Sequence, residues 1–190
     1  MKLLAAIAGV LLVLGVALLV PSIREPLFEG VGLDRPPSHE RGADASLKTI
    51  FVAQRDFREN DRDGNGVRDY WRGDLAGLYT LMPKGSGEPI KLIELSVAAA
   101  DDRATPDIGR YCLRGPKAGY GYRALRFQDE PAPDPQRFAA ACFPSDYPRS
   151  GRFTYIIRED GLLWRKDRGR AGGIEIYPPD PPKEGWRRLE

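Results

Sequence analysis

Residues 3–20 form an unbroken run of Leu, Ala, Ile, Val and Gly that no charged or polar side chain interrupts. As a helix rising about 1.5 Å per residue, such a run is roughly 27 Å long, close to the thickness of bilayer hydrocarbon. It has three readings: a cleaved secretory signal, a retained anchor, or an apolar core helix. The core helix is least favoured, because no face of it would be polar. A cleavable signal has a shorter apolar region ending in small residues, whereas this run leaves through Leu18-Leu19-Val20-Pro21-Ser22. No Cys follows closely enough for a lipoprotein anchor. The pattern predicts a transmembrane signal anchor over residues 1–22, with a cleaved signal as the alternative, and an extracytoplasmic remainder. Lys2 and the amino terminus place the short side in the cytoplasm, against the weaker pull of Arg24. The expected location is therefore the inner membrane, spanned once.

Past the apolar run the pattern breaks into shorter periods. Pro26, Pro36 and Pro37 with intervening glycines make residues 23–43 a linker, and His39 within it reads as a solvated loop histidine. Leu47, Ile50, Phe51, Gln54 and Phe57 then recur at helical spacing, with Arg41, Asp44, Lys48, Arg55 and Arg58 available for the opposite side. This predicts an amphipathic helix over 44–59, capped by Asp44 or Ser46. Strand-like runs follow at 78–81 and 90–95, separated by a Lys84-Gly85-Ser86-Gly87 turn. More strands are expected at 120–127, 138–143, 153–157 and 162–164. Glu159-Asp160-Gly161 joins the last two as a hairpin, because Asp-Gly suits the positive φ of tight turns. The tail Pro178-Pro179-Asp180-Pro181-Pro182 cannot form a central strand. The predicted fold is α+β: a membrane helix, a linker, and a domain over 44–190 in which the helix packs on an antiparallel sheet of about four to six strands.

Charge adds little. The net charge of +2, with Lys and Arg interspersed among acids, excludes a broad electrostatic case for nucleic acid. The cysteines, Cys112 and Cys142, both lie in the part expected to be exported. A disulfide between them is expected there; closing so long a loop would stabilise by about 3 to 4 kcal/mol on the chain-entropy model.

The sharpest candidate site is Asp61-Arg62-Asp63-Gly64-Asn65-Gly66-Val67-Arg68-Asp69. Oxygen-bearing side chains fall at loop positions 1, 3, 5 and 9, glycine at 6, and the Val67 carbonyl at 7, as in an EF-hand calcium loop. Position 12, which carries a bidentate Glu in that motif, is Arg72, so Asp74 or Glu59 is the further candidate ligand. The expected ligand set is Asp61, Asp63, Asn65, Val67 and Asp69 with Asp74, and the ion is calcium, held with the weak affinity of extracellular sites, about 10⁻⁴ to 10⁻³ M. The competing reading is a solvated Asp/Asn/Gly turn.

Catalytic patterns are missing from the sequence. A single His in a linker offers no Ser-His-Asp or Cys-His arrangement, and no His/Cys cluster suits zinc. Gly85-Ser86-Gly87 lacks the Lys-Ser/Thr ending of a phosphate loop. Asp101-Asp102 and Glu159-Asp160 read as solvated pairs, and the alternating Tyr120-Gly121-Tyr122-Arg123 stretch reads as a half-buried strand rather than a stacking platform. No catalysis is expected.

Ala45-Ser46-Leu47-Lys48-Thr49-Ile50, followed by Ala53-Gln54 and Phe57, resembles the helix after the membrane segment in bacterial type IV pilin-like and pseudopilin-like proteins. Asp69-Tyr70-Trp71, Gly77-Leu78-Tyr79, Ile90-Lys91-Leu92-Ile93-Glu94, Gly119-Tyr120 and Phe143-Pro144 extend the likeness to exported bacterial proteins of that group, over about residues 45–186. The prepilin peptidase motif of that family is missing, since residues 1–20 contain no Glu. The resemblance implies a pilin-like ectodomain on a plain anchor, acting in structure or interaction, with envelope or secretion-system proteins as partners. The alternative is an envelope ligand-binding module with a calcium-stabilised loop; a hydrolase is the least favoured class.

Overall fold

The computed structural model describes residues 38–128 and 134–189. The apolar run and residues 23–37 of the expected linker lie outside the described residues. Among the described residues, no helix is long and apolar enough to cross a membrane.

Helix α1 spans Ser38–Glu59, beginning well before the expected start at residue 44. The reason is a polar member of its buried seam. Glu40, Ala43, Leu47, Ile50, Gln54 and Phe57 recur every three or four residues and are all buried, so the helix period extends back through an acid that reads as surface in the sequence. The Glu40 Oε1 atom accepts the Arg152 backbone N–H at 2.7 Å. Asp44 and Ser46 are therefore interior positions, not caps, and the Ser46 hydroxyl donates to the Gly42 carbonyl at 2.8 Å.

Short elements follow: α2 (Gly77–Thr80), α3 (Leu95–Ala99) and a 3₁₀ turn (Pro106–Arg110). Strands were expected at 78–81 and 90–95. Instead two carboxylates take the backbone N–H groups that open the first turn: Asp101 Oδ2 accepts from Ala76 at 3.0 Å, and Asp74 Oδ1 from Gly77 at 2.9 Å. The two runs still touch through isolated bonds, from Ile90 N–H to the Leu81 carbonyl and from Leu92 N–H to the Leu78 carbonyl. The stretch at 84–87 is a turn, as expected.

The strands are β1 (Tyr120–Ala124), β2 (Arg126–Phe127), β3 (Ala139–Pro144), β4 (Phe153–Arg158), β5 (Trp164–Asp167), β6 (Ile176–Tyr177) and β7 (Arg187–Arg188). Five of them form an antiparallel sheet in the order β1-β3-β4-β5-β7, on which α1 packs. The expected α+β arrangement of a helix on an antiparallel sheet is thus present. The hairpin forms at the expected place, with Phe153 opposite Asp167 and the turn residue Gly161 at φ +74°. Strands β2 and β6 pair in parallel as a separate ribbon.

Side chains alternate across the sheet. Tyr120, Tyr122, Ala140, Cys142, Tyr155 and Ile157 face α1, whereas Ala139, Ala141 and Ile156 belong to a second cluster with Leu125, Phe127, Tyr177 and Trp186. Gly121, paired with Phe143, is needed for space: a Cβ there would lie 2.7 Å from the Phe143 ring. The cysteines do not form the expected disulfide. Cys142 is buried beneath α1 with its Sγ 3.6 Å from the Ala43 carbonyl, whereas Cys112 lies past the 3₁₀ turn near the Ile108 carbonyl. Strand alternation fixes the direction of the first, and a local turn fixes the second.

Gln54 couples α1 to the loop after it. Its amide donates to the Trp71 carbonyl at 2.9 Å and accepts the Trp71 N–H at 3.0 Å, as a neighbouring strand would. Replacing Gln54 with Ala should strand both backbone groups and lower stability by about 2 to 4 kcal/mol, read from the urea unfolding midpoint. An unchanged midpoint would show that the loop finds other partners.

Candidate functional site

The Asp loop closes on itself. Asp61, at φ 45°, accepts the Asn65 N–H at 3.1 Å through Oδ1 and the Gly66 N–H at 3.0 Å through Oδ2. The Asn65 amide donates to Asp63 Oδ2 at 2.8 Å, while its oxygen accepts the Val67 N–H at 2.6 Å. These are the side-chain-to-backbone bonds of Asx turns. Burial raises the Asp63 carboxyl above its ordinary range; the neighbouring carboxylates of Asp61 and Asp69 push the same way, and the Asn65 N–H pulls it down.

Among the described residues, no group of three or more His, Cys, Asp and Glu side chains could hold a metal ion. A cation in this loop would therefore draw on the Asn65 side-chain oxygen and the Val67 carbonyl as well as on Asp61 and Asp63. Asp74 stands apart from the loop, with Oδ1 engaged at α2 and Oδ2 accepting the Thr105 N–H.

One hydroxyl and one amine approach closely beneath α1. Lys117 Nζ donates to Ser46 Oγ at 3.1 Å and to Glu94 Oε2 at 2.7 Å. Lys117 holds the Glu94 carboxyl below its ordinary range, and the two side chains form an ion pair at 2.7 Å. Ser46 is itself buried.

A charged cluster lies on the other side of the sheet. Arg123 grips Asp102 with two nitrogens, Nε standing 2.9 Å from Oδ1, and Glu175 receives Arg103, Arg123 and Arg126. These contacts join the loop after α3, β1 and β2 to the segment leading into β6. The sequence places Arg123 in a half-buried strand but offers no means of pairing it across the chain.

Sequence reasoning also missed a cleft at the β2–β6 ribbon. Parallel pairing sets Phe127 opposite Tyr177, with ring centroids 5.7 Å apart. The Arg137 guanidinium lies 3.8 Å from the Phe127 centroid, and that of Arg158 lies 5.6 Å from the Tyr177 centroid. Pro178 and Pro179 complete the wall of a cavity of about 410 Å³. Phe127 and Tyr177 are themselves almost fully buried, and Arg158 is engaged by Asp160 through one oxygen, 2.6 Å from both Nε and Nη2. In the sequence only the aromatic spacing of 120–127 pointed near this cleft; its residues come from four separate segments.

No protein-family model matches this chain, and no curated protein or solved structure matches it.

Asp101 supplies a pH signature. It is 1% exposed, and burial lifts its carboxyl to about 6 despite N–H bonds from Arg103 and Ala76 that pull the other way. Between about pH 4 and about 6 the folded chain keeps a proton that the unfolded chain releases, so this group's contribution to stability falls as pH rises through that window and is flat above it. The difference amounts to at most about 3 kcal/mol. Asp101→Asn cannot titrate; the stability of the parent relative to that variant should decline from pH 4 to 6 in urea melts, and a constant difference would contradict the assignment.

Proposed function

We propose that this chain is a membrane-anchored, extracytoplasmic protein of pilin-like or pseudopilin-like kind that acts in structure or interaction, without catalysis. The observation that carries the reading is one of order along the chain. An apolar run of membrane length precedes a 22-residue amphipathic helix, and that helix lies on an antiparallel sheet. The partners this reading expects are envelope or secretion-system proteins.

Burying the run in lipid holds a chain far more firmly than a surface contact. The full chain should therefore stay with membranes through high-salt and carbonate washes, and residues 38–189 should be digested by protease added to spheroplasts. A mature protein found only in the soluble fraction and beginning near residue 20 would identify a cleaved signal instead.

The second reading is an envelope ligand-binding module with a calcium-stabilised Asp loop, supported by the mutual crowding of Asp61, Asp63 and Asp69. A divalent ion would relieve that repulsion. At free calcium a hundredfold above its dissociation constant, the gain is about 2.7 kcal/mol, seen as a raised melting temperature that Asp63→Ala abolishes. Equal melting in millimolar calcium and in chelator would leave the loop as the self-closed turn described above.

A further inference from the structure

Asn60 and Asn65 are the asparagines of this chain, and Asn65 is followed by glycine. An asparagine amide is labile where the next backbone nitrogen can attack it, and glycine leaves that nitrogen unshielded by any Cβ. The closed Asp loop supplies the groups such an attack needs. Gly66 N–H donates to Asp61 Oδ2 at 3.0 Å, which sets a carboxylate where the nitrogen must shed its proton. Asn65 Oδ1 accepts the Val67 N–H at 2.6 Å, so a donor already faces the oxygen on which negative charge would develop. That bond also folds the side chain over the Gly66 peptide unit and brings Cγ beside the Gly66 nitrogen. Asn65 Nδ2 donates to Asp63 Oδ2 at 2.8 Å, so the amide is held at both ends. Asn65, Gly66 and Val67 are exposed, and a Cβ added at Gly66 would meet nothing within 4 Å, so water has access and a ring has room.

We propose that Asn65-Gly66 is a self-modification site, at which Gly66 N attacks Asn65 Cγ with Asp61 as the base and the Val67 N–H holding the oxyanion, and the chain passes through a cyclic imide to an aspartyl or isoaspartyl residue. The Gly66 N–Cγ bond forms and the Gly66 proton goes to Asp61. The Cγ–Nδ2 bond then breaks, and ammonia departs with that proton. Water adds to one imide carbonyl and opens the ring, leaving a carboxyl at position 65 on either the original backbone or one rerouted through the side chain. Conversion removes the donor that Asn65 gives to Asp63 and adds negative charge beside Asp61, Asp63 and Asp69, so it undoes the closure that drives it. Asn60 lacks this arrangement: its Nδ2 is held by the Asp56 carbonyl and carboxylate, and the nitrogen after it belongs to Asp61 rather than to a glycine. The inference depends on neither reading of function above.

The test follows both asparagines by peptide mapping and mass spectrometry in the detergent-solubilised full chain, incubated at neutral pH in chelator, either native or unfolded in guanidinium. Asn65 should convert while Asn60 stays intact. The native chain should convert at least as fast as the unfolded one, because folding supplies the base and the donor. Asp61→Asn tolerates the φ of 45° and keeps an acceptor, but it is no base. It should slow native conversion by about tenfold or more and leave the rate in guanidinium unchanged. No conversion at Asn65, equal conversion at Asn60, a native rate below the unfolded one, or a native rate that Asp61→Asn leaves unchanged or raises would overturn the proposal.

Discussion

Strand β3 has no solvent face, and the rest of the domain is arranged to cover it. All six of its residues are buried. Ala140 and Cys142 point toward α1, and Ala139 and Ala141 toward the opposite cluster. Small side chains let both covers come close, as the 3.6 Å approach of the Cys142 thiol to the Ala43 carbonyl shows. One cover is α1, at the start of the described chain. The other is built from the C-terminal segment that carries Tyr177 and Trp186. Covering both faces is what brings β2 and β6 together, and with them Phe127 and Tyr177.

Between the covers, a long stretch with little regular structure is held by buried polar side chains bonded to backbone. Glu40 takes the Arg152 N–H, Gln54 pairs with Trp71, and Asp101 bridges Ala76 and Arg103. Each substitutes for a strand or helix that the local sequence does not supply, since buried backbone groups must be bonded somewhere. Glu40 also ties the first turn of α1 to the segment entering β4.

The legible parts of the fold were those decided within a few residues. The period-3.6 seam from Leu47 to Phe57 and the alternation around β3 and β4 arise from backbone geometry alone. The Asp160-Gly161 hairpin depends only on its own turn chemistry. The Asp loop was equally visible as an oxygen-rich turn, because its bonds run between residues two to five positions apart.

What tertiary structure decided was whatever needed a partner distant in sequence. The start of α1 was hidden because Glu40 is buried by its bond to Arg152, far along the chain. The run at 78–81 became helical because Asp74 and Asp101 supply its first acceptors, one of them from a later segment. The two thiols stayed apart because one is set by strand alternation and the other by a turn. The cleft exists only because β2 and β6, fifty residues apart, pair in register. Local periodicity is written into consecutive residues, whereas burial, ion pairing and cavities belong to surfaces that meet only after the chain has folded.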